Sequence, residues 1–571
     1  MSDIAIASWT VSSQKRIFEG DMPRESEKSF CAMRNEPLSF TLCYRALGEA
    51  AENGRDTDLF FSAQVASSSL PLSVYKILSV PFAASECEDA SKDATGPCPD
   101  ILAKRQVSPE IIHNENDKTL PYYEKNEKQL LTASCKRTQG IYVTVNPDGE
   151  ALPAGTHEIQ IRLISLKTGK LLDEHNISIE LMDALLPKND LIYTNWLHYD
   201  CLADSSGLSV WSDGYFELLG KYIKNAVKGG MNTLLTPAFT PALDTPVGME
   251  RMNVQLVKIK KEPTGYSFDL SLLRRFMTLA IENGIEYFEH CHLFSQWGAR
   301  TAINIYAEDG KRLFGWDTPA TAPEYTEFLN KYLSQYLELC RELDVSDKLL
   351  FHVSDEPARE HCDDYAKAVA SVREVLSEHI IGDALSDYSF YELGLTQMPI
   401  VDTPFADDFD GRAERMMLYY TGGEKQVGLS NRLLSSAPQK TRIIGLQLYR
   451  YKAIGFLHWG YNYTYGRMSA GLFDPAKDPC FYKNVPGVSY LVYSDTDRSP
   501  MPSLREMNMR DAMNDYRALK LCESLIGRQA TLDLCENILG EKISVTTLPE
   551  DGEQMIALRR GINKKIKEFN K

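Results

Sequence analysis

Between Leu191 and His458, short apolar runs alternate with amphipathic stretches long enough to be helices. This alternation restricts the fold more than any other feature of the chain. The runs Leu191–Trp196, Asn232–Thr236, Ile285–His292 and Leu349–Ser354 have the length and bounding residues of buried strands. Helical stretches follow them at Gly214–Lys228, Asp269–Asn283, Ala322–Leu343 and Cys362–Glu378. Weaker runs continue the series at Ile380–Leu385, Pro399–Asp402, Met416–Tyr420 and, after the helical stretch Asn431–Lys452, Gly455–His458. A crossover that contains a helix returns the chain to the same end of the sheet, so successive strands must pair in parallel. Eight such strands predict a (β/α)8 TIM-type barrel over residues 186–466, with Leu349–Ser354 as its fourth strand.

The flanking regions have different patterns. From residue 1 to about 185, strand-like runs occur at Ile4–Val11, Leu38–Tyr44, Leu59–Val65, Leu72–Val80, Gln139–Val145, His157–Ser165 and Asn176–Leu181. Turn clusters such as Pro147-Asp-Gly and Lys167-Thr-Gly separate them, which predicts an N-terminal β-sandwich domain over 1–185. The polar segment Ala84–Leu130 reads as a long insertion. Beyond residue 466 a loop rich in Pro, Asp and Tyr leads to Ser503-Leu-Arg-Glu, a capping-box signature that opens a helix running through Leu525. A last helix over Gln554–Phe569 completes a C-terminal helical extension, 467–571, expected to pack on the barrel.

Composition narrows the partners. With 62 basic and 79 acidic residues the net charge is -17, which leaves no basic footprint for nucleic acid. No run approaches the ~18 apolar residues of a membrane span, so no membrane insertion is expected. The first residues, MSDIAIASWTVSSQKR, lack the pattern of a secretory leader, making cytoplasm the expected compartment by default. The twelve cysteines contain no C-x-x-C pair and read as reduced thiols.

If the strands form a barrel, their carboxyl ends share one mouth, and chemistry in such folds is done there. The first strand brings Trp196, His198 and Asp200; the third, His290, His292 and Trp297; the fourth, His352, Asp355 and Glu356. Tyr388 and Tyr391 follow the fifth, Asp402 ends the sixth, and Trp459, Tyr461 and Asn462 follow the eighth. Aromatic rings beside carboxylates, amides and imidazoles suit a pyranose, whose CH faces stack while its hydroxyls take hydrogen bonds. The predicted substrate contacts are therefore Trp196, His198, Asp200, His292, Trp297, His352, Tyr388, Tyr391, Asp402, Trp459, Tyr461 and Asn462.

Asp355 and Glu356 are the candidate catalytic pair. Neighbours on a strand point to opposite faces, so the two can share a pocket only where the chain is already turning. Glycosidases that use two protein carboxylates hold them ~5 Å apart or farther. Adjacent residues suit another scheme, in which the substrate's own 2-acetamido oxygen attacks the anomeric carbon. The protein then supplies one acid and one carboxylate that orients the amide.

The segments Trp196-Leu-His-Tyr-Asp-Cys-Leu-Ala-Asp, His352-Val-Ser-Asp-Glu-Pro, Leu457-His-Trp-Gly-Tyr-Asn-Tyr and Ser503-Leu-Arg-Glu-Met-Asn-Met-Arg-Asp-Ala-Met-Asn-Asp-Tyr occur in this order. Together they resemble glycoside hydrolase family 123, the β-N-acetylgalactosaminidases, over about residues 190–522. The resemblance implies a β-sandwich before a (β/α)8 barrel and exo-removal of terminal β-GalNAc from a glycolipid or oligosaccharide. It also implies retention through an oxazoline, with no metal and no cofactor. It assigns Glu356 as general acid/base and Asp355 as the residue steering the acetamide. Glu356 is then expected to be protonated at rest through partial burial. One departure is Ala512-Met, where the family pattern leads us to expect Gly-Xaa. Two other readings remain: a metal-dependent barrel hydrolase with His290, His292, Asp402 and His458 as ligands, and a non-catalytic carbohydrate-binding protein of the same fold.

Overall fold

A computed structural model describes residues 5–47, 59–89, 96–104, 131–241, 243–422 and 428–569. The N-terminal region forms two five-stranded sheets. One runs in the order Ala5–Ser12, Leu38–Leu47, Gln139–Val145, Leu72–Ala83, Pro97–Ala103. The other runs Ser29–Met33, Leu171–Met182, Gly155–Ser165, Leu59–Ala66, Leu131–Ala133. Alternate residues of each point inward, so Phe40, Leu42 and Tyr44 meet Ile159, Ile161 and Ile177 in one core.

Three strands escaped the sequence pattern. Ser29–Met33 and Leu131–Ala133 are too short to show a period. Pro97–Ala103 lies inside the expected insertion and opens Pro-Cys-Pro, which sheets tolerate at an edge. Of that segment, residues 90–95 and 105–130 fall outside the described residues.

The second region contains eight parallel strands: β1 (Ile192–Asn195), β2 (Thr233–Thr236), β3 (Tyr287–His290), β4 (Leu349–Phe351), β5 (Ile380–Ile381), β6 (Ile400–Asp402), β7 (Met417–Tyr419) and β8 (Gly455–His458). They fall into two four-stranded sheets, β1-β8-β7-β6 and β2-β3-β4-β5, rather than one continuous ladder. At one seam the Asn232 amide donates to Tyr193 O at 3.2 Å, and at the other Ala384 and Ile400 form an isolated parallel bridge. One set of strand side chains packs against the helices, including Leu234, Phe288, Phe351, Val401, Leu418 and Phe456. The opposite set, Leu235, Leu350, Ile400, Met417, Tyr419 and Leu457, forms a separate apolar cluster with Trp196.

The C-terminal region is more central than an appendage. The first turns of helix Leu504–Ile526 are buried on every side, charged residues included. Arg505 pairs with Asp100 of the N-terminal sheets at 3.0 Å, and Arg510 donates to Ser39 at 2.9 Å. Asp515 is held by Arg442 at 2.6 Å and by Arg559, from the final helix Gly552–Phe569, at 2.7 Å. Ser503 Oγ accepts from the Glu506 amide at 3.0 Å as an N-cap should, but Glu506 does not close the box: its carboxylate faces Tyr461 Oη at 3.0 Å and Asn225. At Ala512 the close approach comes from the facing side, where a Cβ on Gly445 would stand 2.1 Å from Ala512 O. The glycine expected on this helix is instead on its neighbour.

The expected helix Asn431–Lys452 is reduced to two short pieces, Pro438–Arg442 and Ile444–Arg450. A hairpin, Lys258–Glu262 with Gly265–Asp269, stands in the long connection after β2.

Candidate active site

The segment after β4 shows how two neighbouring acids reach one cavity. Beyond Phe351 the ladder stops, but the chain stays clamped from both sides. Leu293 and Phe294 donate to the carbonyls of His352 and Val353, each at 3.0 Å, and Trp297 donates to that of Asp355 at 2.8 Å. On the other flank the Asp383 carboxylate takes the Val353 amide at 3.0 Å, and the Glu356 amide donates to Ala384 O at 3.1 Å. Glu356 itself adopts φ 42, in the left-handed region a glutamate rarely occupies. Such a conformation costs on the order of 1–3 kcal/mol and persists only where the surroundings impose it. The turn at Glu356 breaks strand alternation, and both carboxylates line the same cleft, as the sequence reading required.

The cleft encloses about 910 Å³, its open mouth included. Trp196, His198, Trp297 and Trp459, four of the expected contacts, line it with Asp355 and Glu356. Trp297 stands at the mouth, 37% exposed, whereas Trp196 is buried and donates its indole N–H to Glu289 at 3.0 Å.

Other expected contacts support the lining from behind. Asp200 holds Arg251 through two bonds of 2.7 and 2.8 Å, and Arg251 donates to His198 Nδ1 at 3.2 Å. His198 Nε2 then faces Trp459 O at 2.7 Å, while Asn462 clasps the His198 backbone. Burial, reinforced by Arg251, lowers the His198 pKa to about 3, so its ring is neutral. His352 lies beneath the cleft between Asp383, at 3.3 Å, and Glu289, at 3.6 Å, with His292 stacked on it. Burial opposes its charge, but the two carboxylates outweigh that and raise its pKa to about 10.

The remaining expected contacts do not line the cleft. Tyr461 points to Glu506 and Asn225. Tyr388 and Tyr391 pack on each other, with Arg412 over the Tyr388 ring. Asp402 ends β6 and caps a 3-10 turn.

Several lining residues went unread in the sequence: Asp244, Gln296, Tyr419, Tyr482 and Lys483. Tyr419 ends β7, and the same strand-end rule that selected Trp196 would have found it; its hydroxyl donates to Glu356 Oε1 at 2.9 Å. Asp244 sits in a long connection at φ 46 and accepts from Tyr463 Oη at 2.8 Å, and no local pattern marks it. Tyr482 and Lys483 come from the stretch assigned to the C-terminal extension, which therefore supplies part of the cleft wall. In His458-Trp-Gly-Tyr, Gly460 is obligatory because a Cβ there would lie 2.6 Å from Ser489 O.

The electrostatics correct one expectation. Glu356 is exposed rather than partly buried. The acid displaced from its usual range is Asp355, raised well above it by burial, then by Glu356 and Asp383, with His352 opposing. A neighbouring negative charge disfavours the ionised form of a carboxyl, so the Glu356 and Asp383 carboxylates act on Asp355 in the same direction as its burial.

The suggested metal ligands do not converge. His290 packs among aromatics and faces Tyr332 Oη, and His458 Nδ1 accepts from Arg432. Among the described residues a different trio, His292, His352 and Asp383, brings its ligating atoms within 4.8 Å of one another. Within that trio His352 lies between the Asp383 and Glu289 carboxylates, at 3.3 and 3.6 Å, with the His292 ring stacked on it.

Comparisons with known proteins bear on the family and the fold. No curated protein sequence matches the chain. A family 123 glycoside hydrolase from Clostridium perfringens, whose structure was described with the details of glycolipid glycan hydrolysis, superposes with TM-score 0.71 at 14% identity over 99% of both chains, which shows a shared fold. Bacteroides uniformis β-glucuronidase (TM-score 0.29, 12% identity, 87% of this chain and 48% of that one) and Ruminococcus gnavus β-glucuronidase (0.31, 9%, 83% and 66%) are too distant to inform the site. The model of the glycoside hydrolase 123 catalytic domain matches residues 196–522, more than half of the chain and the stretch carrying both carboxylates. By that match, this protein belongs to glycoside hydrolase family 123.

Proposed function

We propose that the protein is a retaining exo-β-N-acetylgalactosaminidase that removes terminal β-GalNAc by substrate-assisted catalysis, with glycolipid glycans as its substrate class. The observation that carries the reading is the turn at Glu356, which directs two consecutive acids into one aromatic-walled cleft. Consecutive residues suit unequal tasks on one sugar better than the opposed positions of a nucleophile and an acid. Asp355, whose raised pKa makes it a better proton acceptor, takes the acetamide N–H and aims the acetamide oxygen at C1. Accepting the N–H stabilises Asp355 as the anion, and Glu356 is the acid of the pair. Glu356, positioned by Tyr419, delivers the proton to the glycosidic oxygen and then, as base, activates the water that opens the oxazoline. Trp196, Trp297 and Trp459 provide apolar faces for the ring.

We also read the two four-stranded sheets as halves of one (β/α)8 barrel. The shared cluster of β2, β4, β6, β7 and β8 side chains supports this, as do the bonds at both seams. The glycolipid reading rests on the Clostridium relative, whose structural description concerns glycolipid glycans.

Paired assays of chromogenic β-GalNAc and β-GlcNAc glycosides test the specificity. Faster cleavage of the former, inhibited by a GalNAc-thiazoline, is expected. A preference for GlcNAc would overturn the specificity, and indifference to the thiazoline would overturn the mechanism.

A further inference from the structure

Cys87 and Cys98 stand apart from the other ten cysteines. Their sulfurs lie 3.2 Å apart in a buried cluster that joins the N-terminal sheets to the catalytic region. Cys98 is fixed within the strand Pro97–Ala103, opposite Val80 of the neighbouring strand. That neighbouring strand ends at Ala83, and a single 3-10 turn, Ala84–Glu86, folds the chain back to bring Cys87 over Cys98. A disulfide needs its sulfurs at about 2.05 Å, so closure asks for a shift of only about 1.2 Å.

The surroundings tie this pair to the other region. Leu434 O lies 3.5 Å from Cys87 Sγ and 3.7 Å from Cys98 Sγ. Arg16 donates to Leu434 O at 2.6 Å and Ser436 O at 2.8 Å, and reaches Cys98 Sγ at 3.7 Å. The Glu88 amide donates to Ser435 O at 2.8 Å. Adjacent Leu433 packs with Trp459, Tyr482, Val485 and Val488, all of the cleft wall.

We propose that Cys87 and Cys98 form a reversible disulfide that staples the N-terminal sheets where they grip the segment behind the cleft wall. Cys87 is the attacking thiol. It is the more accessible, 5% exposed against 0% for Cys98, and the Cys98 hydrogen bond, with Arg16, lowers its pKa against the effect of burial. Its thiolate attacks a small-molecule disulfide RSSR, forming Cys87–S–S–R and releasing RS⁻. Cys98 then displaces the second RS⁻ as its own proton leaves. The protein dithiol is oxidised, RSSR is reduced, and the two protons end on two RSH.

The test uses the full chain incubated with oxidised glutathione, then denatured, alkylated with iodoacetamide and mapped by mass spectrometry. The expected product is a crosslinked peptide pair joining Cys87 to Cys98, lighter than the two free peptides by two hydrogens. It should be absent from Cys87→Ser and Cys98→Ser and retained in Cys43→Ala. Oxidised wild type should also melt a few degrees above the reduced form, with no such gap in either serine variant. Alkylation of both thiols after oxidation, or equal melting of the two wild-type forms, would overturn the proposal; neither measurement on wild type depends on a variant folding.

Discussion

Asp355 and Asp515 are both acids drawn away from bulk water, and their surroundings push them in opposite directions. Asp515, in the helix that joins the regions, is gripped by Arg442 and Arg559; burial would raise its pKa, but the two guanidiniums outweigh it and hold it below the usual range. Asp355 has Glu356, Asp383 and Asp244 as charged neighbours and only His352 in opposition, and its pKa is driven well up. Desolvation acts on both, so the sign is set by which charges the fold places nearby. The junction pairs its charges, whereas the proposed active site crowds like charges around one carboxyl, as a proton-transfer role would require.

The sharpest way to break this contrast is to remove the proposed proton donor. Glu356→Gln should lower kcat by ~10²–10⁴-fold on substrates with poor leaving groups while binding is kept, because the amide preserves shape but cannot donate a labile proton. Steady-state kinetics on a natural disaccharide would check it, and normal turnover would reassign the role.

Next in size is the junction. Arg505→Met leaves Asp100 charged and strips the carbonyls of Arg432, Gly487 and Tyr490 of their donor. Breaking a buried pair from one side should cost about 3–5 kcal/mol in urea unfolding. Adding Asp100→Asn should return part of that loss, and a full-sized loss in the double variant would show that the pair itself is not the source.

Asp355→Asn should do what no junction substitution does, reducing activity while stabilising the fold. Burial and the charges of Glu356 and Asp383 raise the Asp355 pKa in the folded state above the unfolded value of about 3.9. This group therefore subtracts stability as pH rises above that value, and Asn removes the penalty. A gain on the order of 1 kcal/mol at pH 7 is expected. A lower unfolding midpoint than wild type would contradict it.

The smallest effect is a slope. His352, with its pKa raised to about 10, contributes stability that is fully present below its unfolded value of about 6.5 and is lost as pH climbs through 10. His352→Asn should flatten the decline in unfolding free energy between those two values, measured by urea titration at several pH values.

Much of the fold was legible because periodicity is local. Strands β1 to β8 were expected within a few residues, since each is a short apolar run ended by a turn signal. Pro97–Ala103 hid behind its prolines, and the expected helix Asn431–Lys452 ran across Pro438, which instead opens the first of the two short pieces, Pro438–Arg442 and Ile444–Arg450. Of the residues picked by the strand-end rule, Trp196, His198, Trp297, Trp459 and the two acids line the cleft. Tyr388 and Tyr391 pack on each other and do not line this cleft, because a strand-end position does not say which way a following loop folds.

From residue order alone come the parallel α/β alternation, the adjacency of Asp355 and Glu356, and the family resemblance. Adjacency by itself would have set the two acids on opposite faces. The clamp of Trp297, Asp383 and Ala384 around the departing strand forces the left-handed turn that unites them, and Asp244, Tyr482 and Lys483 arrive from distant segments. Whether a buried acid's pKa is pushed down, as at Asp515, or up, as at Asp355, was likewise decided in three dimensions. Coulomb interactions and desolvation depend on distances in space, which the spacing of residues along a chain does not specify.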